Sequence, residues 1–501
     1  MLFSSWIFVA AFLPATWLVF SFLEPRFGRQ AALLWVTAAS LFFYGWFKPV
    51  YVLIILISLT LNFMLGSQLS KKPDKRLLAL GLTANLGALA YYKYAGFFLQ
   101  TLNMMGGSFD VPKILLPLGI SFFTFQQITY LVDAFRGEAK ELNFRFYTLF
   151  VIFFPHMIAG PIVHHKEIIP QFIKKLPKRE RDDLIVLGLT VFIIGLFKKV
   201  AIADVMGEIA DPVFTAAATG KLTFFEAWLG VLSYTLQIYF DFSGYSDMAV
   251  GLAALFGVRM PVNFLSPYKS ADIIEFWRRW HITLSRLLRE YLYIPLGGSR
   301  CGPQRQYFNL MFTMLLGGLW HGANWTFVVW GALHGTYLAI NHVWRKASRW
   351  RMPQPLAVAL TFISVMAGWV FFRSESFDVA LNVLQGMAGS HGVAMDDMGG
   401  FLARMLTGLG INVQGEASRL LRINEREIVL WIALALVFLA PSTHELMQKR
   451  LALDIAAELP RARGFSLRWK SSMPWAVGLG LMATVSLLLL TKVTAFIYFQ
   501  F

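Results

Sequence analysis

A histidine enclosed by glycines and tryptophans in a long apolar run is the residue of this sequence best suited to chemistry. The run reads Gly317-Gly318-Leu319-Trp320-His321-Gly322-Ala323-Asn324. An ionisable side chain at membrane depth is costly and is therefore a candidate functional residue. Histidine also titrates near neutral pH, so a neutral imidazole here could act as a general base. The alternative is a packed histidine bonded to a backbone carbonyl, and this window alone does not decide between the two.

A second histidine, His281, precedes the first by 40 positions and could serve as its partner. It lies in the segment 275–286, which we interpret as one amphipathic helix. On that helix Arg279 and Arg286 would share a face two turns apart, with Arg278 between this face and the apolar one. Arginine binds phosphates bidentately, so the cluster predicts either an interfacial helix with solvated arginines or a site for a nucleotide-bearing acyl donor.

Two carboxylates, Asp241 and Asp247, lie inside another apolar stretch. They could mark a proton or ion pathway. We favour the alternative that they pair with arginines of the 278–289 segment. The histidines match no metal-ligand spacing, so no metal is expected. The sequence also contains no glycine-rich phosphate loop, no Gly-x-Ser-x-Gly elbow and no dinucleotide fingerprint.

The composition places these residues in a membrane. Of the 501 residues, 57% are hydrophobic and 15% are charged, whereas soluble domains carry about 25% charged residues. The apolar stretches are continuous and mostly about 17–25 residues long, which predicts spanning helices and not barrel strands. The net charge of +16 could suggest nucleic acid. Because the basic residues lie in loops between apolar spans, we expect contact with the lipid bilayer and no nucleic acid.

Most of the apolar stretches have the length of one crossing. Two of them, 224–256 and 307–340, are too long for one straight crossing, so each must be broken, bent or doubled. The candidate spans are 2–23, 31–47, 50–65, 78–92, 114–135, 146–163, 184–203, 224–256, 307–340, 357–372, 428–441 and 474–493.

Loop charge gives the orientation. Seven loops hold 33 of the 45 basic residues and are assigned to the cytoplasm. Both termini then lie on the outer face, which is the periplasm in a Gram-negative cell, together with the segment 373–427. The stretch 146–163 has basic loops at both ends, so it is re-entrant or lies flat. The stretch 307–340 must enter and return, with a break at 317–324 that places His321 ~21 Å deep in a core ~30 Å thick.

The aromatic tail 496–501 contains Tyr498. Aromatic residues at a membrane boundary are usually belt residues. On the outer face, however, the hydroxyl of Tyr498 could also reach into a cavity.

Taken together, these windows resemble the membrane-bound O-acyltransferase (MBOAT) family, and within it the alginate O-acetyltransferase (AlgI-type) subgroup. The pair Trp-Arg-Arg-Trp-His and Gly-Leu-Trp-His-Gly is the most specific signal, and the resemblance covers most of the chain. The segments that carry it are Phe3-Ser4-Ser5, 117–126, Gly160-Pro161-Ile162, 241–247, 275–285, 291–298, 317–325 and 496–501.

The resemblance implies an all-α polytopic membrane protein with a ring of about 11 tilted transmembrane helices. Re-entrant and interfacial helices would complete the ring around a central funnel. The whole chain, 1–501, would form one integral membrane domain. We expect its core at about 110–345, a periplasmic segment at about 373–427 and a C-terminal span at 474–501.

The resemblance also implies an activity. His321 matches the catalytic histidine of the family, His281 the second active-site position, and Tyr498 a tyrosine implicated as acyl carrier. The donor would be cytosolic acetyl-CoA. The acceptor would be an exported polysaccharide, with alginate as the first expectation. Arg278, Arg279, Arg286, Trp320 and Asn324 are the candidate donor-binding residues.

Expected partners are periplasmic acetyltransferase subunits of the SGNH-hydrolase-like type and the polysaccharide. The protein would be multi-pass in the cell inner membrane. Three alternatives stay open on the sequence alone. The same chemistry could act on peptidoglycan or cellulose, the donor could be a D-alanyl carrier protein, or the chain could transport a polysaccharide without catalysis.

Overall fold

The protein is described by a computed structural model that covers residues 1–139, 143–158, 160–348, 350, 352–394, 413–414, 426–447 and 467–490. This part of the chain is almost entirely helical, as predicted. Two short strands, β1 (Val393–Ala394) and β2 (Val413–Gln414), pair in parallel. The helices are α1 Leu13–Gly45, α2 Val50–Lys71, α3 Lys75–Leu89, α4 Ala95–Met104, α5 Ile120–Phe135, α6 Phe144–Ile152, α7 Phe154–Met157, α8 His165–Ile173, α9 Lys178–Phe197, α10 Asp204–Thr219, α11 Phe224–Leu255, α12 Ile273–Arg279, α13 Ile282–Leu288, α14 Pro303–His321, α15 Trp325–Ala347, α16 Gln354–Arg373, α17 Phe377–Met387, α18 Arg426–Leu439, α19 Thr443–Leu446 and α20 Met473–Leu489.

Several helical segments have the length and composition of membrane spans. Ile7–Gly45, Val50–Lys71, Lys178–Thr219 and Gln354–Arg373 meet both criteria within the described residues. Two shorter apolar helices, Ile428–Leu439 and Met473–Leu489, fall below the length criterion. The chain is therefore a multi-pass membrane protein.

Four π-helical segments extend or join the α-helices. At two of the joints the helix continues beyond the predicted stretches 78–92 and 184–203. The segments are Ile7–Phe12 before α1, Ala90–Tyr94 between α3 and α4, Lys198–Ala203 between α9 and α10, and Arg289–Tyr293 after α13.

The first long helix reverses direction at Gly28, which has a φ of 83°. The indole of Trp35 donates a hydrogen bond to the Thr16 carbonyl at 3.0 Å. Nineteen residues of straight helix would separate these two by about 28 Å, so the two halves must run antiparallel. This confirms the prediction of two spans that flank the basic loop at 24–31.

Helix α11 is the centre of the packing. It is one helix of 32 residues, and most of them are buried. Of the three predicted forms, broken, bent or doubled, the structure excludes a break and a doubling. The rule of one bilayer thickness applies to helices in lipid, whereas α11 is surrounded by protein from Ser233 to Leu255.

Glycines allow α9 and α11 to approach closely. A Cβ at Gly195 would lie 2.6 Å from the Gly244 carbonyl oxygen, and a Cβ at Gly251 would lie 2.5 Å from the Gly188 oxygen. Such backbone contact through small residues is the usual way in which membrane helices associate. The two contacts also show that the two helices are antiparallel, because the later residue of one helix meets the earlier residue of the other.

The carboxylates of α11 are paired with lysines at the π-helical joint that follows α9. Lys199 Nζ lies 2.6 Å from Asp241 Oδ1, and Lys198 Nζ lies 2.7 Å from Asp247 Oδ2. Asp247 also lies 3.2 Å from His444 Nε2. The expected pairing of Asp241 and Asp247 with arginines of the 278–289 segment is therefore wrong. The positions of Lys198 and Lys199 in the sequence did not indicate that the π-helical joint packs against α11.

The segment 146–163 is not a simple crossing, as predicted. Helix α6 has nine residues, or about 13 Å, which is too short for a core about 30 Å thick. The four-residue helix α7 follows, and its side chains are fully enclosed by protein. Residues 160–164, before α8, have no regular secondary structure and are buried, so this segment lies within the protein body.

Candidate active site

The helical hairpin of α14 and α15 carries the first candidate histidine. Helix α14 ends at His321, residues 322–324 form the turn, and α15 begins at Trp325. The break falls inside the predicted window 317–324. With 19 residues, α14 spans about 28 Å, so its last residue lies far from the basic loop where it begins.

The glycines of this hairpin have packing roles. A Cβ at Gly318 would lie 2.2 Å from the Phe327 carbonyl oxygen, and a Cβ at Gly322 would lie 2.0 Å from the Phe327 ring. A Cβ at Gly331 would in turn lie 2.3 Å from the Met314 oxygen. Gly318 stays helical, and its role is to let α15 pack against α14.

Replacement of Gly318 by alanine is expected to separate the two helices and lower the free energy of unfolding by about 1–3 kcal/mol. The neighbouring variant Gly317→Ala is the matched control, because its Cβ would meet only Leu288 Cδ1, at an ordinary distance of 3.4 Å. The measurement is the thermal unfolding midpoint in detergent. Equal midpoints for the two variants would contradict this account of the packing.

His321 is buried, with 5% of its surface exposed. Aromatic rings enclose it edge to face. Its ring centroid lies 5.2 Å from that of Trp330 on α15 and 5.2 Å from that of Phe372 on α16. The preceding Trp320 is 4.9 Å away. Aromatic side chains of three helices thus enclose one imidazole.

The backbone at the end of α14 is held by residues that sequence reasoning missed. Lys93 Nζ donates hydrogen bonds to the carbonyls of Trp320 at 2.5 Å and His321 at 3.1 Å. The Tyr94 hydroxyl donates to the Leu319 carbonyl at 2.9 Å. The last carbonyls of a helix lack internal partners, and a cation is favourable at that end. A lysine directly after the apolar stretch 78–92 was the signal that could have identified this contact.

His281 lies close to His321 in space. The two ring centroids are 6.4 Å apart, although the residues are 40 positions apart in the sequence. His281 is fully buried, and its backbone is left-handed, with a φ of 44°. Its Nδ1 lies 3.0 Å from Asn263 Oδ1. The structure therefore brings the two predicted histidines together.

The segment around His281 is not one helix. Helix α12 ends at Arg279 and α13 begins at Ile282, because the left-handed residue His281 interrupts the helical backbone. The expectation that Arg279 and Arg286 share one helical face is therefore wrong. Neither sequence periodicity nor composition indicated the interruption.

The three arginines have different surroundings. Arg279 is buried, with its Nε 2.9 Å from Glu275 Oε1. Arg286 forms a bidentate pair with Glu167 on α8, at 2.5 and 3.0 Å. Arg278 is exposed. The three arginines do not form one surface. The predicted donor-binding role fits Arg278 best, because Arg279 and Arg286 would first have to leave their glutamate partners.

The structure also describes the contacts of two further predicted site residues, Trp320 and Asn324. Trp320 stacks on Phe125 at 5.6 Å. Asn324 caps α15 through Thr326 N at 3.1 Å, and its amide donates to the Glu375 carbonyl at 2.9 Å. Both contacts are structural, and donor binding by these two residues stays a prediction. Tyr498 lies outside the described residues.

Among the residues that the structure describes, no group of three or more histidine, cysteine, aspartate or glutamate side chains is arranged to hold a metal ion. The chemistry available at the described site is that of two buried imidazoles, aromatic rings and the clamped carbonyl end of α14.

Comparison with known proteins identifies the family. The family described as MBOAT, membrane-bound O-acyltransferase, matches residues 74–374. The chain is 44% identical over 433 residues to the peptidoglycan O-acetyltransferase of Helicobacter pylori, covering 79% of this chain and 81% of that protein. It is 42% identical over 398 residues to the probable alginate O-acetylase AlgI of Pseudomonas aeruginosa, covering 77% and 75%.

A more distant relative has a different printed activity. The teichoic acid D-alanyltransferase of Bacillus subtilis is 28% identical over 277 residues, covering 52% of this chain and 69% of that protein. The chain belongs to the membrane-bound O-acyltransferase family, as its motifs predicted. It is a membrane O-acetyltransferase of that family.

Proposed function

We propose that this protein transfers acetyl groups from cytosolic acetyl-CoA across the inner membrane for O-acetylation of an exported polysaccharide. The observation that supports this function is the meeting of His321 and His281 at the buried end of the α14–α15 hairpin. Their rings are enclosed by aromatic side chains, and such a surrounding keeps water away from a reactive acyl group.

The transfer is acyl substitution at a thioester. His321 removes the proton of an attacking hydroxyl as its oxygen forms a bond to the acetyl carbonyl carbon. The carbon–sulfur bond then breaks, and the CoA thiolate leaves with the electron pair. The proton held by His321 passes to this sulfur, so the products are an acetyl ester and a free thiol. Arg278 is the exposed candidate for a phosphate of the donor.

The attacking hydroxyl belongs either to Tyr498, as an acyl relay, or directly to the acceptor. A relay would carry the acetyl group to the outer face, where partner acetyltransferases of the SGNH-hydrolase-like type would pass it to the polysaccharide. The variant Tyr498→Phe separates the two routes, because direct transfer does not need this hydroxyl.

The acceptor is proposed to be alginate, with peptidoglycan as the alternative supported by a relative. The relative at 44% identity is named for peptidoglycan and the relative at 42% for alginate. Sequence similarity alone therefore does not identify the acceptor. The D-alanyltransferase relative supports a carrier-protein donor less strongly, at 28% identity.

The finer architecture belongs to the same proposal. A ring of about 11 tilted helices around a funnel, both termini in the periplasm and one domain over 1–501 with its core at about 110–345 would suit transfer across the inner membrane. Basic loops at the start of α14 and the end of α15 support the cytosolic position of that side of the hairpin.

The test uses the purified full-length protein in lipid nanodiscs with acetyl-CoA labelled in the acetyl group. We expect cleavage of the thioester, with label on the protein or on an added acceptor, and no reaction with a D-alanyl carrier protein. Labelling that is retained in wild type and lost in Tyr498→Phe supports the relay. Polysaccharide transport with no thioester cleavage would contradict the enzymatic function and favour a transporter.

A further inference from the structure

Asn263 forms hydrogen bonds with α11 and with α13, the helix that begins directly after His281. It is buried in the segment between α11 and α12, with 1% of its surface exposed. Its Nδ2 donates to Ser246 Oγ on α11 at 3.2 Å. Its Oδ1 accepts from Thr283 N at 3.3 Å and from Thr283 Oγ1 at 3.0 Å. Its backbone carbonyl accepts from Ile282 N at 3.0 Å.

These contacts determine which end of the amide faces His281. A backbone N–H can only donate, so the atom opposite Thr283 N must be the oxygen. The Thr283 hydroxyl already accepts a hydrogen bond from Ile162 N at 3.0 Å, and its own hydrogen is therefore available to Asn263. A flipped amide would point its NH₂ group at the Thr283 N–H and lose that hydrogen bond.

The oxygen in turn determines the protonation of the imidazole. His281 Nδ1 lies 3.0 Å from Asn263 Oδ1, and an amide oxygen only accepts, so Nδ1 carries the hydrogen. In a neutral imidazole the other nitrogen, Nε2, then has a free lone pair. This Nε2 is buried and has no hydrogen-bond partner among the described residues.

We propose that Asn263 is a positioning residue that holds His281 in the Nδ1–H tautomer, so that Nε2 of His281 acts as an acceptor during acyl transfer. This inference rests on the proposed function. It distinguishes two possible roles of His281, accepting a hydrogen bond through Nε2 to orient a reacting group, or donating one to the oxyanion. A neutral imidazole with this tautomer has no hydrogen on Nε2 and cannot donate from that atom.

The direct test reads the tautomer itself. The full-length protein is labelled with ¹⁵N-histidine and studied by solid-state NMR in lipid bilayers. The chain has nine histidines, and the signals lost in His281→Gln identify His281. We expect a protonated Nδ1 and an unprotonated Nε2 for this residue. A protonated Nε2 in the wild-type protein would overturn the proposal, whether or not the protein transfers acetyl groups.

The kinetic test separates positioning from stability. In Asn263→Ala we expect kcat to fall by at least about a hundredfold with KM for acetyl-CoA little changed, because a wrong tautomer of a catalytic histidine can cost about 10⁴-fold. Asn263→Asp keeps the acceptor oxygen and should recover part of the rate. The control is Asn85→Ala, which removes another buried asparagine whose partners are Asn62 and the Gly81 carbonyl.

The outcomes are distinguishable. A loss of kcat in Asn263→Ala that exceeds that of Asn85→Ala at equal unfolding midpoints supports positioning. Equal losses in the two variants, or no recovery in Asn263→Asp, would reduce Asn263 to a packing residue. If Asn263→Ala does not fold, the NMR measurement of the His281 tautomer in the wild-type protein still tests the proposal.

Discussion

Replacement of His321 by glutamine is expected to lower the rate of acetyl transfer by about 10²–10⁴-fold, the contribution typical of a general base. Glutamine approximates the size and polarity of the imidazole but cannot take up a proton. The aromatic enclosure by Trp330 and Phe372 should therefore close around the new side chain. The protein should still fold and insert.

The measurement is release of free thiol from acetyl-CoA by the purified variant, beside its thermal unfolding midpoint. His342→Gln is the matched control, because it changes a histidine of the same hairpin that lies near the basic end of α15. Full activity in a folded His321→Gln protein would exclude His321 as the base. Loss of folding in that variant alone would support a structural histidine.

The second large effect is expected from Lys199→Met. Lys199 is buried, with 3% of its surface exposed, and its Nζ lies 2.6 Å from Asp241 and 2.8 Å from Asp204. Loss of the lysine leaves carboxylates in a low-dielectric interior without this cation. Breaking a buried ion pair from one side typically costs about 3–5 kcal/mol, because the remaining charge is uncompensated.

The variant should accumulate poorly in membranes and unfold at a lower temperature in detergent. Adding Asp241→Asn to Lys199→Met removes one of the stranded carboxylates and should restore part of the stability. Lys113→Met, at an exposed position, is the control and should change little. If the double variant is less stable than the wild type by the sum of the separate losses of Lys199→Met and Asp241→Asn, the two residues do not act as a pair.

The fold could be predicted where neighbouring residues in the sequence carried the signal. Basic residues at both ends of an apolar run identified the α14–α15 hairpin, and glycines followed by Asn324 marked its turn. The length of α11 could not be predicted in the same way. Hydropathy measures how apolar a segment is, and it does not report whether lipid or protein surrounds that segment.

The site could be predicted in part for the same reason. His321 stood out because an ionisable group in an apolar window is unusual, and His281 stood out as a possible partner 40 positions before it. Their contacts were not visible, since Lys93 and Asn263 come from other parts of the chain and have no special spacing to either histidine. The arginines were misjudged because the interruption at His281 depends on the backbone conformation that Asn263 and Thr283 stabilise.

The packing of Phe3 has a consequence for how the protein is made. Its side chain is fully buried and stacks on Tyr245 of α11 at 4.7 Å, while the neighbouring Phe8 meets Phe154 at 6.2 Å. During synthesis these early residues emerge long before α11 exists, so their final partners are absent. The first helices must therefore stay in the bilayer without their final contacts, and the core can pack only after α11 has been inserted.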